Sequence, residues 1–406
     1  MLSTVLNQST TSPRTGVHPL APDPSFVLAQ HGRGAVGHGV RQRWTSAQDA
    51  ARALRTGRAD VVVGCLPFDS RQPAALFEPK SWDPDVDDAA SVLPGPGTSG
   101  AGVPSVRSWH EEPEPSEHVA RVARAVELAR AGALDKVVLA RALRLELDES
   151  ASALDLLRRF VADDREGNGY LVRLPRDGAV PGGHMVGSSP EALIRREGLE
   201  VYTHPLAGTA ARRPEDRDLD REAALTLQTS RKDLDEHRYV VDAIEAALRP
   251  LCAELDVPPL PTLAHTERIW HLGTPIRGVL ADSAHTALDL AAALHPTPAV
   301  CGSPRQAALQ HILGTESPRG YYAGAVGWCD ASGDGHWRVL LRGGHLAEDG
   351  LSLTAHAGGG IVADSDPEAE LAETRLKFTP VLTALGVQDR VKELLDTAPA
   401  LPRSRG

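Results

Sequence analysis

Two pairs of acids sit three residues apart in this chain, Asp233 with Glu236 and Glu370 with Glu373. Each pair falls where a helix should begin, and i, i+3 spacing puts both carboxylates on one helix face. Four carboxylates presented by two helices could surround one hard cation. Mg2+ suits them best, because it takes oxygen ligands, keeps waters and bridges to anionic substrates. A more ordinary reading stays open at this point: acids are at home in the first turn of a helix, facing the positive end of its dipole in water.

The elements that carry the acids can be traced outward. In "RKDLDEHRYVVDAIEAALRPL", residues 231–251, the apolar stripe Val240, Ile244, Ala247, Leu251 extends backwards through Glu236 to Asp233, so these acids share the face that turns to the core. In "ADSDPEAELAETRLKF", Asp366 can cap, Pro367 suits the first helical position, and Glu368 and Glu370 suit the first turn. Glu373 lies further in, on a stripe with Glu370, Lys377 and Val381.

The remaining chain bounds what such a site could serve. With 406 residues the chain can build a large core, and its net charge of -11 without a dense Lys/Arg run argues against nucleic acid as a partner. Cys65, Cys252, Cys301 and Cys329 are widely spaced, so neither a disulfide framework nor a zinc ribbon is expected. The first residues lack an apolar signal core, and no stretch approaches the ~18 apolar residues of a membrane span. The expected setting is cytoplasmic, with no membrane partner. Two G-x-G-x-x-G matches fail as dinucleotide sites: Gly32, Gly34, Gly37 lie between strand-like runs with no helix after them, and Gly95, Gly97, Gly100 lie in a Pro-rich loop.

Residues 1–24 read as a flexible N-terminal segment, 25–390 as one catalytic domain and 391–406 as a tail. Strands are expected in "SFVLAQ", "GVRQRW" and "ADVVVGCLPF", a surface loop over 83–105, and a helix in "SEHVARVARAVELARAG" with Ser116 as cap and Gly132 as stop. "DKVVLARALRLEL" and "GLEVYTHPLAG" read as strands, 218–251 as one long helical region, and helices flank "HPTPAVCGSP". "YYAGAVGWCD" and "HWRVLLRGGHL" should form a hairpin around "ASGDG", followed by the strand "GLSLTAHAG". Strands come in groups instead of alternating with helices, which disfavours a Rossmann or TIM pattern.

Several stretches together, "KVVLAR", "GSSPEALI", "PLAGTA", "KDLDEH", "LHPTPAVCG", "YAGAVGWCD" and "AGGGIVADSDPEAELAETRLKF", resemble the chorismate-utilising enzymes in order and spacing from about residue 115 to 385. "LPFDSRQPAALFEPKSW" is similar to the N-terminal part of their isochorismate synthase branch. The resemblance implies an α/β (α+β) fold, a single large domain with two packed β-sheets flanked by helices and a cleft between the sheets. It implies that Glu236 and Glu373 ligate Mg2+, that Asp233 and Glu370 hold metal-bound waters, and that the metal grips the ring carboxylate of chorismate. Arg342 would take the enolpyruvyl carboxylate, which suits a guanidinium fork. Gly208, Gly358, Gly359 and Gly360 would lend backbone N–H groups, and Thr209, Ala299, Tyr322 and Lys377 would line the pocket.

By the same resemblance Lys136 is the general base that deprotonates a water attacking C2. Glu191 is the general acid that protonates the hydroxyl leaving C4, which requires it to hold a proton near neutrality. On residue pattern alone Lys136 is a lysine at a strand start and Glu191 a helix-start acid. The "HPTPAVCG" stretch resembles that of the isochorismate synthases, with a small Ala299 near where ammonia- and salicylate-type enzymes more often carry Thr; with "GWCD" and "ADSDPE", this resemblance implies reversible conversion of chorismate to isochorismate for a catecholate siderophore based on 2,3-dihydroxybenzoate. The alternatives are a salicylate synthase and a menaquinone-pathway isochorismate synthase. Gly359, often larger in the family, is a departure expected to touch packing more than chemistry. No glutamine amidotransferase subunit is expected, and the chain should act as a monomer.

Overall fold

A computed structural model describes residues 23–87, 104–176 and 182–387. Two large antiparallel sheets form its frame. The first, of ten strands, runs in space through Gly302–Ser303, Lys136–Leu147, Ser352–Ile361, Gly343–Leu346, Gly183–Gly187, Gly169–Leu174, Pro24–Gln30, Arg33–His38 and Ser81–Asp87, with Val106–Glu112 also pairing with Lys136–Leu147. The second, of nine, runs through Cys252–Asp256, Ile276–Leu280, Glu200–His204, Ala192–Glu197, Gly335–Val339, Ala325–Asp330, Val61–Leu66, Ala75–Glu78 and Gln42–Trp44. A third sheet of three strands, Leu206–Ala211, Ile269–Gly273 and Thr262–His265, stands beside them. This is the α+β domain of packed sheets and outer helices that the sequence led us to expect.

Period-two alternation decides which face each strand gives to the site. Along Lys136–Leu147, Leu143, Leu145 and Leu147 turn outward and meet Phe160 of the helix Ala153–Asp163 and Phe378, Val381 and Leu382 of the helix Pro367–Ala384. The even residues of that strand turn inward, and so do Thr354, His356, Gly358 and Gly360 of its neighbour, held by the register Gly360↔Val138 and Thr354↔Arg144. Between the two large sheets Phe26, Leu28, Tyr170 and Met185 meet Val61, Val63, Cys65 and Val326 in an apolar layer. Each such side chain contributes about 1.5–3 kcal/mol when buried, so both acidic helices and both sheets are fixed by packing on either side of the cleft.

Several expectations need correction. The region 218–251 is two helices, Arg217–Thr229 and Arg231–Leu248, with Arg249–Leu251 a 3-10 turn. Ser230 breaks them because its hydroxyl caps the second, accepting from the Asp233 backbone N–H. The strand Ser81–Asp87 runs into the expected 83–105 loop, whose residues 88–103 lie outside the described ones, as does the second glycine match. The first glycine match lies largely in the strand Arg33–His38, which forms a hairpin with Pro24–Gln30. "GLEVYTHPLAG" spans two strands in different sheets, split at Pro205, and "HWRVLLRGGHL" likewise divides between the two large sheets. The helix Pro115–Arg130 starts with Glu114, without a side-chain cap, so Ser116 lies in its first turn. The helix Ala47–Arg55 and the strands between residues 252 and 280 were not foreseen. Of the segment 1–24 only Asp23 and Pro24 are described, Pro24 already in a strand, and the tail 391–406 lies outside the described residues.

The cap that separates the two helices gives a stability test. Ser230→Ala should cost about 1 kcal/mol, seen in urea unfolding as a lower midpoint with an unchanged slope. An unchanged midpoint would show that packing alone sets the start of the acidic helix.

Candidate active site

A cleft opens where the inner face of the first sheet meets the third sheet and the two acidic helices. Glu191, Gly208, Thr209, Glu236, Ala299, Tyr322, Arg342, Gly358, Gly360, Glu373 and Lys377 all border it, so the residues singled out from distant parts of the sequence come together. The free space among them is only ≈ 70 Å³.

Three acids of the set each face a lysine. Lys136, fully buried at the head of its strand, has its Nζ 3.0 Å from Glu236 Oε1, in an orientation that misses hydrogen-bond geometry. Lys232 Nζ donates to Glu370 Oε1 at 2.8 Å, which Ser365 also holds at 2.8 Å. Lys377 Nζ donates to Glu373 and, at 2.8 Å, to the Gly358 carbonyl, while the Thr209 hydroxyl donates to Glu373. Burial pushes the Glu370 carboxyl upward against the pull of Lys232, with the Glu373 charge adding to the push. Glu373 is held low, since Lys377 and Lys232 outweigh its own burial. Asp233, raised by burial, bonds with the Ser230 hydroxyl and sits against Gly208.

As placed, no three His, Cys, Asp or Glu side chains among the described residues converge on one point. The donor set nevertheless suits a hard cation. Glu370 Oε2 is buried with no hydrogen-bond partner and points at Gly359, where a Cβ would lie 2.6 Å from it and 3.7 Å from Glu373 Oε1. A Cβ on Gly360 would lie 2.1 Å from Glu236 Oε1 and 2.8 Å from Lys136 Cε. Bare glycines thus leave room for three carboxylates along one strand end, and a buried orphan oxygen is a costly thing to leave unmatched. Gly359 consequently bears on the acids as well as on packing, and no helix starts at Glu191.

Glu191 instead precedes the strand Ala192–Glu197. Its carboxylate accepts from the Leu206 backbone N–H, and burial pushes it up to about 8, so it holds its proton at neutrality. A buried network lies behind its loop: Arg338 Nη1 donates to the Ser189 carbonyl at 2.8 Å and to Asn168, whose side-chain amide donates to Asp164 at 3.0 Å. Arg342, whose φ is 51°, and Ala323, with φ 60°, occupy the left-handed region that non-glycine residues avoid, and both border the cleft. Tyr322 stacks on His356, ring centroids 5.0 Å apart.

A family model for the chorismate binding enzyme matches residues 98–386. The chain belongs to the chorismate-binding enzyme family. It is 45% identical over 372 residues to the MenF protein of Mycobacterium tuberculosis, covering 91% of this chain and 98% of that one. It is 39% identical over 365 residues to the isochorismate synthase DhbC of Bacillus subtilis, covering 86% and 88%. The solved menaquinone-specific isochorismate synthase MenF of Escherichia coli superposes with a TM-score of 0.76 at 27% identity, covering 89% of each chain. No helix among the described residues is long and apolar enough to cross a membrane.

The cleft also contains residues that sequence reasoning missed. His271, from the strand Ile269–Gly273, borders the cleft with Nε2 unpaired, and burial holds it well below the usual imidazole range. His356 could have been found by counting back two residues from Gly358 along its strand. The backbone strain at Ala323 and Arg342 leaves no mark on residue type.

The glycine contacts predict a specific failure. Gly360→Ala should displace the Lys136–Glu236 pair and weaken chorismate binding, measured by calorimetry, by ~10-fold or more, the worth of one buried polar contact. Gly314→Ala, at a helix position with nothing within 4 Å, should leave binding unchanged. Equal affinities in both variants would contradict the placement of the pair.

Proposed function

We propose that the protein is an isochorismate synthase that interconverts chorismate and isochorismate. The observation that carries this reading is a buried carboxyl on the cleft wall, Glu191, raised by burial, with the buried Lys136 close enough for its charge to act on it, in a chorismate-binding enzyme; Lys136 itself stands just behind the wall, against Glu236. The similarity to enzymes named isochorismate synthases over most of the chain supports it. Lys136 takes a proton from water as its oxygen bonds to C2. The ring double bond shifts, and the C4–O bond breaks as Glu191 gives its proton to the departing hydroxyl, which leaves as water. One water enters and one leaves; Lys136, neutral before the step, ends with the extra proton and Glu191 without one, solvent exchange resets both, and the reaction runs both ways.

Arg342 is assigned to the enolpyruvyl carboxylate, with Tyr322, Thr209, Lys377 and the backbone of Gly208 and Gly358 to Gly360 around the ring. Ala299 leaves room for the water. Glu236 and Glu373 would hold Mg2+, with Asp233 and Glu370 behind them; when bound, the ion supplies positive charge for the ring carboxylate. The enzyme is read as a cytoplasmic monomer that needs no amidotransferase. Its product is assigned to a 2,3-dihydroxybenzoate siderophore, on the "HPTPAVCG" and "GWCD" stretches. A second reading, supply of menaquinone, is favoured by the name MenF, which the 45% identical relative shares with the menaquinone-specific enzyme. A deletion strain rescued by 2,3-dihydroxybenzoate supports the first, and one rescued only by menaquinone the second.

Purified protein incubated with chorismate and Mg2+ should yield isochorismate by NMR, at a mixture of the two isomers. Salicylate and pyruvate in equal amounts would reject the assignment. Chelation with EDTA should abolish turnover, and Mg2+ should restore it; full turnover in chelator would remove the metal from the account. Lys136→Ala and Glu191→Gln should each cost at least ~10²-fold in kcat. The acid acts while protonated, below a pKa of about 8, so kcat/KM should fall as pH rises through that value. A profile flat to pH 9 or above would mean that Glu191 is not the acid.

A further inference from the structure

The inner face of the first sheet carries a second, larger cavity, of ≈ 510 Å³, beyond the catalytic cleft. Register locates it. Gly360 and Gly358 border the cleft; His356 follows, then Thr354 opposite Arg144, and these last three border the second cavity. From Gly360 to Thr354 is six residues, about 20 Å along an extended strand. The stacked rings of Tyr322 and His356 border both spaces and form the partition between them.

The walls of this cavity are mainly apolar, with Phe68, Tyr170, Leu174, Met185 and Ile312 among them. Its polar capacity is one-sided. Both oxygens of Glu316 are taken, by the Ala140 N–H and by Arg319. Both oxygens of Asp69 are taken by Arg71, and those of Glu112, which is not itself part of the wall, by Ser317 and Arg144. Arg144 is different: among the described residues its guanidinium makes a single hydrogen bond, Nε to Glu112 Oε2 at 2.6 Å, and its side chain is 44% exposed. Five N–H donors in a planar fork with one in use can still grip a carboxylate with two parallel bonds. Thr354 stands across the strand pair from it.

We propose that this cavity is a second ligand site, which takes a planar aromatic monocarboxylate. The ring lies among the apolar and aromatic walls, and the carboxylate meets Arg144 and Thr354 at the rim. The volume falls within the range of small-molecule pockets, and flat rings are well served by aromatic neighbours. Because Tyr322 and His356 belong to both walls, a ligand pressed on their outer side biases where the rings sit on the inner side. Occupancy then alters catalysis without competing for the substrate's place.

The test uses salicylate and benzoate as probes, with benzyl alcohol as the ring lacking the carboxylate. Calorimetry on the full chain should show one molecule of either acid bound, and benzyl alcohol ~10-fold weaker or worse, as expected for loss of a charge-assisted pair. Arg144→Met should weaken binding of the acids by ~10-fold or more. Thr354→Val, which leaves the Arg144–Glu112 pair intact, should weaken it by about 3-fold, the worth of a single neutral hydrogen bond. This arm needs no turnover, so it stands apart from the reaction proposed above. In chorismate turnover the acids should lower kcat with KM unchanged. No binding at about 5 mM probe, a ligand weaker than any useful effector, would overturn the site. So would equal binding to wild type and both variants, or inhibition purely competitive with chorismate.

Discussion

The structure depends on one electrostatic constraint: a set of buried ionisable groups, basic and acidic, must be held together between packed layers. Lys136, Glu236, Glu370 and Glu191 are all nearly inaccessible to water. Burying a charge costs several kcal/mol unless a partner faces it, and here lysines face three of the acids. The sandwich of two sheets, with the third sheet and the acidic helices closing one end, is what makes such burial possible. Each layer brings its charged residues to the same seam while its apolar residues fill clusters on either side.

The same constraint separates the protonation states on which the chemistry turns. Glu191 and Glu373 border one cleft, yet burial raises the first while two lysine charges hold the second down. Two carboxyls of one type thereby take opposite parts, one a proton donor, the other a fixed anion. Glycine supports this arrangement by absence: at Gly359 and Gly360 there is no side chain to push the acids off the strand. Backbone strain falls at two further residues of the cleft's lining, Ala323 and Arg342.

Much of this was legible in the residues. The i, i+3 acid pairs and the apolar stripes behind them marked both helices, and the alternating "KVVLARALRLEL" marked the strand that bears Lys136. Resemblance of the ordered motifs then brought Lys136, Glu191 and Arg342 to one site, which no local pattern could do because they come from separate strands and loops. What stayed hidden is tertiary. Glu191 reads as a helix start after "SSP", but the loop leads into a strand held by Arg338 and Asn168 from other elements. The break at Ser230 was hidden by continuous helical periodicity on both sides, and His271 by a strand too short and mixed to stand out.

The account turns on a water adding at one ring carbon while a hydroxyl leaves another. Turnover in 18O-labelled water, followed by NMR and mass analysis of the product at early times, tests this most directly. The account predicts isochorismate with one 18O at C2 and chorismate that becomes labelled at C4 only as the reverse reaction sets in. Isochorismate whose C2 oxygen is unlabelled would show that the hydroxyl is passed within the molecule, and would contradict the roles given to Lys136 and Glu191.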